Sequence, residues 1–269
     1  MKKIVMMALV AVALACNSEK KADRSIDSAT VAIAERLDSL SFKYDSVKVY
    51  SKNRVSSDPR VTDTAKAVIS YPVFSDKAVN EFVAKKILAT AGDVKYNSYQ
   101  TYASEFIKGF DDFQKANKDR IQTWFLNINS KVIRQQDTYI SFYTTYINFS
   151  GGAHPNSMFL YQNFNPVTNQ EIVLDSLLLP GSRTKLQAIA EKIFRTNEKL
   201  GPAESLKGKY FFENDTFSLN ENFTITGDGL LFLYNPYEIK AYAFGITKLL
   251  IPFNDLKEIA RPNSLLKPN

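Results

Sequence analysis

Hydrophobic positions change their spacing several times along the chain, and each change predicts an element. The runs KYDSVKVYSK and TAKAVISYPVF are rich in β-branched residues and predict two strands, with a turn at Pro59 between them. Asp76 is a good N-cap for the helix that follows. That helix carries four apolar residues at helical spacing: Val79, Phe82, Val83 and Ile87. A second helix is predicted by a stripe of aromatic residues that we expect in the core: Tyr99, Tyr102, Phe106, Phe110 and Phe113.

The middle of the chain alternates in the way that strands do. TWFLNINSKVIRQQ and TYISFYTTYINF predict two strands joined by a turn at Gln136 and Asp137. The second strand has aromatic residues on both faces, which is typical of a central strand. MFLYQNFNP and QEIVLDSLLL predict a further hairpin across NPVTN.

The last third restarts the pattern. SRTKLQAIAEKIFRTNEKLG predicts an amphipathic helix that ends at Gly201 and Pro202. Gly227-Asp228-Gly229 predicts a hairpin between NFTIT and LLFLYNPYEI, AYAFGITKLLIPF a further strand, and NDLKEI a closing helical turn. The predicted fold class is α+β, with two consecutive α+β subdomains that have mainly antiparallel sheets and one or two packed helices each.

The first residues determine the predicted compartment. Lys2 and Lys3 precede an apolar run that is too short to span a bilayer, which is the order of a secretory signal. The only cysteine, Cys16, follows in ALAC, which resembles a bacterial lipoprotein lipobox. We therefore predict a lipoprotein signal peptide at 1–15, lipidation of Cys16, a tether at 16–41, and a protein anchored to a membrane in the cell envelope, facing the periplasm or the cell surface. An ordinary signal peptide with a chance cysteine is the alternative.

Composition and charge argue against two classes of function, nucleic-acid binding and thiol catalysis. The chain has 34 basic and 28 acidic residues, a formal net charge of +6. Basic residues are scattered, with no run longer than two, whereas a nucleic-acid partner would favour a concentrated stripe. With Cys16 acylated, no thiol is left for a disulfide or for thiol catalysis. We therefore predict no nucleic-acid partner, and the many aromatic residues favour a sheet-rich body with a substantial core.

The stretch YINFSGGAHPN holds the only histidine, His154, and two interpretations of it are open. A cell-wall hydrolase or esterase would use Ser150, His154 and a distant carboxylate, but Asn148 stands where a nucleophile elbow needs glycine. A metal hydrolase usually needs two or three imidazoles, and neither a phosphate loop nor a dinucleotide fingerprint is present. The structural interpretation is a turn, in which Gly151 and Gly152 allow positive φ and Pro155 restricts His154. We favour the turn, and predict no metal and no cofactor.

A long strand ending in GGAH, then NFNPVTNQEIVLDSLLL, a helix and GLLFLYNPYEI…AFGITKLLIPFNDL together resemble the RsiV/PdaC-like superfamily. Its two halves are domains of unknown function 4163 and 3298. The resemblance implies a PdaC-like domain at 42–160, an RsiV C-terminal-like domain at 161–262 and a tail at 263–269. Members include an anti-sigma factor ectodomain that binds lysozyme and the N-terminal region of a peptidoglycan deacetylase. Pro155 and Ala241 depart from the family pattern, in which glycine and proline are common at those places.

The expected function is that of a non-catalytic, lipid-anchored envelope protein that binds a lysozyme-like protein or a peptidoglycan ligand. Exposed tyrosines near strand ends are natural anchors for such a ligand, and the candidates are Tyr234, Tyr237 and Tyr242. Because common lysozymes are basic, an acidic patch from Glu213, Asp215 and Glu221 would have to offset the positive net charge. The alternatives are the hydrolase described above and an accessory subunit of an envelope assembly, which would need a large exposed apolar patch.

Overall fold

The computed structural model describes residues 40–55, 58, 60, 63–117 and 122–267. The predicted signal peptide, Cys16 and nearly all of the predicted tether lie outside these residues. Within them the chain has two sheets, one six-stranded in the order β1-β2-β3-β4-β5-β6 and one three-stranded in the order β7-β8-β9. The strands are β1 Phe42–Arg54, β2 Thr64–Phe74, β3 Phe125–Gln136, β4 Tyr139–Phe149, β5 Asn156–Asn165, β6 Gln170–Glu171, β7 Phe223–Ile225, β8 Gly229–Tyr234 and β9 Thr247–Pro252. The helices are α1 Lys77–Leu88, α2 Tyr99–Ala116, α3 Leu174–Leu177, α4 Arg183–Asn197 and α5 Phe253–Leu256.

The pairing is antiparallel except between β2 and β3, which run parallel. Parallel neighbours need a long crossover, and here α1 and α2 form it. β4 lies between β3 and β5, as its two-sided aromatic pattern predicted. The predicted α+β class with mainly antiparallel sheets is confirmed.

Helices α1 and α2 cover one face of the six-stranded sheet. The Asp76 carboxylate caps α1 by accepting the backbone N–H of Ala78 at 2.7 Å and of Val79 at 3.1 Å. All four apolar residues predicted for α1 are buried, and so are Tyr102 and Phe110 of α2. Phe106 and Phe113 of α2 lie around the single tryptophan, Trp124, and the Tyr99 ring packs on the ring of Tyr71. The helical spacing therefore identified the buried face of α1 correctly, whereas three of the five aromatic residues of α2 that we expected in the core are only partly buried.

A second core lies between α4 and the three-stranded sheet. Leu186 and Phe194 of α4 are almost fully buried, and the Phe194 ring contacts the rings of Tyr210, Phe212 and Phe217 at centroid distances of 5.1–5.6 Å. In the part of the chain that the structure describes, no helix combines the length and the apolar character needed to cross a membrane.

Four boundaries differ from the sequence predictions. QEIVLDSLLL pairs only at β6 and then turns into α3, because Leu174 and Leu177 are buried together at helical spacing. AYAFGITKLLIPF becomes a strand only at Thr247, after a turn that ends at Gly245 with φ of 65°. Helix α4 ends at Asn197, before Gly201. The predicted boundary at residue 160 falls inside β5, because β5 and β6 continue the first sheet to residue 171.

The two halves meet through buried polar side chains, which we call the junction network: Tyr139, Ser141, Asn163 and Thr224. The Tyr139 hydroxyl donates to Asn163 Oδ1 at 2.8 Å, lies 3.1 Å from Thr224 Oγ1 and accepts the backbone N–H of Ile225 at 3.0 Å. Ser141 Oγ lies 2.7 Å from Thr224 Oγ1. The four side chains thus join β4 and β5 to β7 with their polar groups satisfied.

Two asparagines attach the second half to the edge of β5. Asn222 accepts the N–H of Tyr161 at 2.7 Å and donates to the carbonyl of Phe159 at 2.8 Å, and Asn235 accepts the N–H of Phe159 at 2.6 Å. Because β6 pairs only with the last two residues of β5, these contacts protect an edge that would otherwise be open. They also place the loop after β8 beside the turn between β4 and β5.

Candidate functional site

The turn between β4 and β5 has the backbone that its glycines predicted. Gly151 and Gly152 have φ of 116° and 106°, a region that residues with a Cβ rarely adopt. Their conformation turns the chain out of β4, and His154 and Pro155 follow before β5 begins. This geometry agrees with the interpretation of the motif as a structural turn.

The His154 ring is held between a backbone carbonyl and two tyrosines. Nδ1 lies 3.0 Å from the carbonyl oxygen of Pro155, so Nδ1–H donates, and Nε2 lies 3.4 Å from the Tyr237 hydroxyl. The imidazole stacks on the Tyr242 ring at a centroid distance of 4.1 Å and an angle of 14°. The Tyr237 and Tyr242 rings lie 5.5 Å apart. We call His154, Tyr237 and Tyr242 the aromatic site.

Polar contacts hold the segment 235–246, the aromatic loop, in place. Glu238 donates its N–H to the carbonyl of Asn235 at 3.0 Å and accepts the Asn235 N–H at 2.7 Å. Ile239 is buried, and the Lys240 ammonium pairs with Glu198 at 2.6 Å. Because the loop is fastened at these points, its tyrosines are positioned before any ligand arrives.

Tyr237 occupies a strained position at the tip of this loop. The bond from Glu238 to Asn235 closes a turn in which Pro236 is the second residue and Tyr237, with φ of 67°, the third. Type II turns favour glycine or asparagine at that third position, and a bulky residue there costs about 1–3 kcal/mol. The Tyr237 side chain is nevertheless 55% exposed, so core packing does not explain it. Strain of this kind is typical of functional positions.

Two more exposed aromatic residues lie within or beside the aromatic loop. Phe244, in the same loop, is 71% exposed, and Phe211, 56% exposed, donates its N–H to the carbonyl of Ile239 at 3.1 Å. Neither residue was predicted from the sequence. For Phe244 the sequence did contain an indication of exposure. Phe244 stands directly before Gly245, and this glycine marks a turn that interrupts the predicted strand AYAFGITKLLIPF.

Tyr234, the third tyrosine candidate, belongs to the core. It is 1% exposed, and its hydroxyl donates to the carbonyl of Ser218 at 2.8 Å. Burial, and after it the charge of Glu238, raises the pKa of Tyr234. The expectation that Tyr234 binds a ligand is therefore wrong, because its side chain has no surface to offer.

The three acidic candidates differ in their ion pairing. Glu213 and Asp215 lie exposed in a 3₁₀ turn that follows Phe211, close in sequence to the contact between Phe211 and the aromatic loop. Glu221 pairs instead with Arg183 at 2.8 Å, and Arg183 also contacts Asp175 at 2.5 Å. Since Arg183 compensates Glu221, we leave Glu221 out of the candidate surface.

The residues of the hydrolase interpretation are not arranged as a catalytic pair. Ser150 is exposed, and the two nitrogens of His154 contact Pro155 and Tyr237 rather than Ser150. Asp111 accepts hydrogen bonds from Ser51 and Asn53 and joins α2 to β1. Among the described residues, no group of three or more His, Cys, Asp or Glu side chains is placed to hold a metal ion.

Comparison with known proteins agrees with the predicted resemblance. Residues 60–157 match the family described as Deacetylase PdaC, and residues 175–254 match the family described as Protein of unknown function (DUF3298). The chain therefore carries a PdaC-family region and a DUF3298-family region in tandem. No curated protein matches the chain.

Two solved structures have the same fold. A DUF3298 family protein from Pseudomonas aeruginosa PAO1 is 18% identical, with a TM-score of 0.68, over 86% of this chain and 97% of that one. A member of the DUF3298 family from Bacteroides fragilis is also 18% identical, with a TM-score of 0.67, over 85% of this chain and 97% of that one. At this identity the likeness establishes the fold only.

Proposed function

We propose that the chain is a non-catalytic, lipid-anchored protein of the cell envelope, and that its aromatic loop binds a protein partner of the lysozyme type. The observation that carries the proposal is the strained, exposed Tyr237 at the tip of a loop that is fastened at both ends. Exposed tyrosines on a rigid support bury large apolar area at small entropic cost, which makes them frequent hot spots of interfaces.

The surroundings of the aromatic site fit a protein ligand better than a reaction. His154 uses both ring nitrogens and one ring face within the site, so it orients the tyrosines rather than activating a nucleophile. Phe211 and Phe244 add exposed aromatic side chains beside and within the aromatic loop. Glu213 and Asp215 follow Phe211 in the chain, are exposed and form no ion pair with another described residue. Their carboxylates would attract a basic partner.

Binding is tested with the full chain in detergent solution and a c-type lysozyme as the probe, by surface plasmon resonance. We expect Tyr237→Ala to weaken binding about thirtyfold, which corresponds to a hot spot of about 2 kcal/mol. Tyr50→Ala is the matched control, because Tyr50 is also 55% exposed but lies on β1. Failure of the unaltered chain to bind lysozyme, or an equal loss in both variants, would rule out this partner and this site.

The non-catalytic part of the proposal is tested with His154→Gln. We expect the unaltered chain to leave peptidoglycan and simple esters unchanged during long incubation. If the unaltered chain turns over either substrate and folded His154→Gln does not, the hydrolase interpretation replaces this proposal.

Anchoring is tested separately by cell fractionation. We expect the unaltered chain to sediment with membranes and to carry acyl chains on Cys16, detected by mass spectrometry of the N-terminal peptide. Cys16→Ala removes the acceptor thiol and should leave the protein in the soluble fraction. An unmodified Cys16 in purified envelopes would contradict the anchor.

A further inference from the structure

The six-stranded sheet has two unlike faces. The face under α1 and α2 is inaccessible to solvent: Ile69, Ile128 and Phe142 are 0% exposed. The opposite face, which we call the outer face, consists of even positions in 44–50 and 66–70 and odd positions in 125–131, 143–149 and 157–161. No side chain at these positions is fully buried. A broad surface of five neighbouring strands is therefore accessible to a ligand.

Aromatic rings lie at both ends of the outer face. At one end the rings of Phe125 and Phe149 are near-parallel, with centroids 6.1 Å apart. At the other end Tyr143 stacks with Phe159 at 6.4 Å and 14° and contacts Tyr161 at 5.2 Å. Phe149 and Tyr143 are six residues apart on β4, which corresponds to about 20 Å along a strand. The two groups thus frame an extended surface rather than a pocket.

Most side chains between the two aromatic groups are polar and uncharged, with Ile147 as an apolar exception. Asn127 faces Ile147 across the ladder, and Asn129 faces Thr145. Ser70 lies beside Asn129 on the neighbouring strand. Amides and hydroxyls between aromatic platforms offer hydrogen bonds to a ligand that has apolar faces and many polar edges.

The charge of the outer face has one sign. Lys48, Lys66 and Lys131 are exposed on it, and none of its positions is an aspartate or glutamate. None of these lysines forms an ion pair with another described residue. Three uncompensated ammonium groups attract an anionic ligand.

We propose that the outer face binds an anionic polysaccharide, a glycan chain whose sugars carry carboxylates. Sugar rings have apolar C–H faces that stack on aromatic side chains, hydroxyl and amide edges that match the asparagines, and carboxylates that match the lysines. The surface uses no residue of the aromatic site, so this proposal and the proposed protein partner stand or fall separately.

Two other occupants fit the surface less well. Nucleic acid is bound through many phosphate contacts in a dense basic stripe, whereas three lysines are spread over a surface about 20 Å across. A second copy packed face to face would bring the lysines of both copies together with no carboxylate from either face, which is unfavourable.

Replacement of the three outer-face lysines tests whether their positive charge contributes to glycan binding. The full chain in detergent solution is titrated with peptidoglycan glycan strands freed of their peptides, and with chitin oligosaccharides, which lack the carboxylates. We expect the triple variant Lys48→Gln, Lys66→Gln and Lys131→Gln to bind the glycan strands about tenfold more weakly, with little change for chitin. The control with the same net charge replaces three exposed lysines elsewhere by glutamine: Lys85, Lys192 and Lys257.

Phe159→Leu tests the stacking, because it keeps an apolar side chain and removes the ring. We expect weaker binding of both glycans, with circular dichroism showing that the fold is retained. Equal affinity of the triple variant and its control, or unchanged affinity in Phe159→Leu, overturns the proposal. Tighter binding of a single-stranded DNA homopolymer than of glycan strands, or self-association that the triple variant abolishes, also overturns it.

Discussion

In the junction network, Tyr139 is 0% exposed and its hydroxyl has three polar neighbours. In the aromatic loop, Tyr237 is 55% exposed and its hydroxyl has one polar neighbour, His154 Nε2 at 3.4 Å. The junction joins side chains of β4 and β5 in the six-stranded sheet to β7 of the three-stranded sheet. The loop holds its tyrosine in a turn position that favours glycine. Tyrosines of one chain thus serve fold stability in one region and, we propose, binding in the other.

The strongest test of this contrast is Tyr139→Phe, which removes only the hydroxyl. Asn163 Oδ1 keeps Ser141 as a donor, but the N–H of Ile225 loses its acceptor in a buried place. A buried unsatisfied group costs about 1–3 kcal/mol, so we expect the free energy of unfolding to fall by about 2–3 kcal/mol. Urea unfolding measures it, with Tyr50→Phe as the exposed control.

If Tyr139→Phe were as stable as Tyr50→Phe, the junction network would contribute nothing to stability, and the contrast with the aromatic loop would disappear. Lysozyme binding should be unchanged in both variants wherever the protein is folded.

Tyr234→Phe tests a second buried tyrosine, close in sequence to the loop. Losing the hydrogen bond to Ser218 should cost about 1 kcal/mol at pH 7. Because burial raises the pKa of Tyr234 above the ordinary tyrosine value of about 10, the unfolded chain loses this proton first. The stabilisation is therefore complete below about pH 10 and declines as the pH rises further.

Urea unfolding between pH 8 and 11.5 measures this effect. We expect the stability advantage of the unaltered chain over Tyr234→Phe to fall by up to about 1.4 kcal/mol per pH unit above pH 10, so that an advantage of about 1 kcal/mol disappears within about one unit and then changes sign. A constant difference across that range would show that Tyr234 ionises equally in the folded and unfolded states.

Local patterns determine how much of this arrangement the sequence could predict. Asp76 and the apolar spacing of α1 are local, and so is the two-sided pattern of β4, so they were predicted correctly. The fates of Tyr234 and Tyr237 were not predictable from LLFLYNPY, because β8 is buried on both faces and its alternation carries no information. The contact of His154 with Tyr237 joins residues 83 positions apart, and it depends on Asn235 binding the edge of β5.

A double-mutant cycle between His154 and Tyr242 measures the packing inside the aromatic site. The stacked geometry predicts a coupling of about 0.5–1 kcal/mol in the free energy of unfolding, from His154→Ala, Tyr242→Ala and the double variant. The cycle between His154 and Phe244 is the control, since no ring contact joins that pair among the described residues. A coupling near zero for Tyr242 would mean that the stacked rings do not support each other.

The smallest expected effect has the opposite sign and concerns the strain at Tyr237. Tyr237→Ala and Tyr237→Gly both remove the ring and its contact with His154, but only glycine adopts a φ of 67° without a steric penalty. Glycine also makes the unfolded chain more flexible, which offsets part of the gain. We therefore expect Tyr237→Gly to be more stable than Tyr237→Ala by about 0.5–1 kcal/mol, and at least as stable as the unaltered chain.

Urea unfolding of the unaltered chain, Tyr237→Ala and Tyr237→Gly gives their stabilities. Comparison of these stabilities with the lysozyme affinities of the same proteins tests whether the strain at Tyr237 serves binding. A glycine variant that is more stable but does not bind would show that the position sacrifices stability to present a ring. If Tyr237→Gly were instead less stable than Tyr237→Ala, the tyrosine would not be strained in solution, and its backbone conformation would no longer support a binding role. Tyr139 and Tyr237 would then differ only in burial, and the proposed function would rest on surface exposure alone.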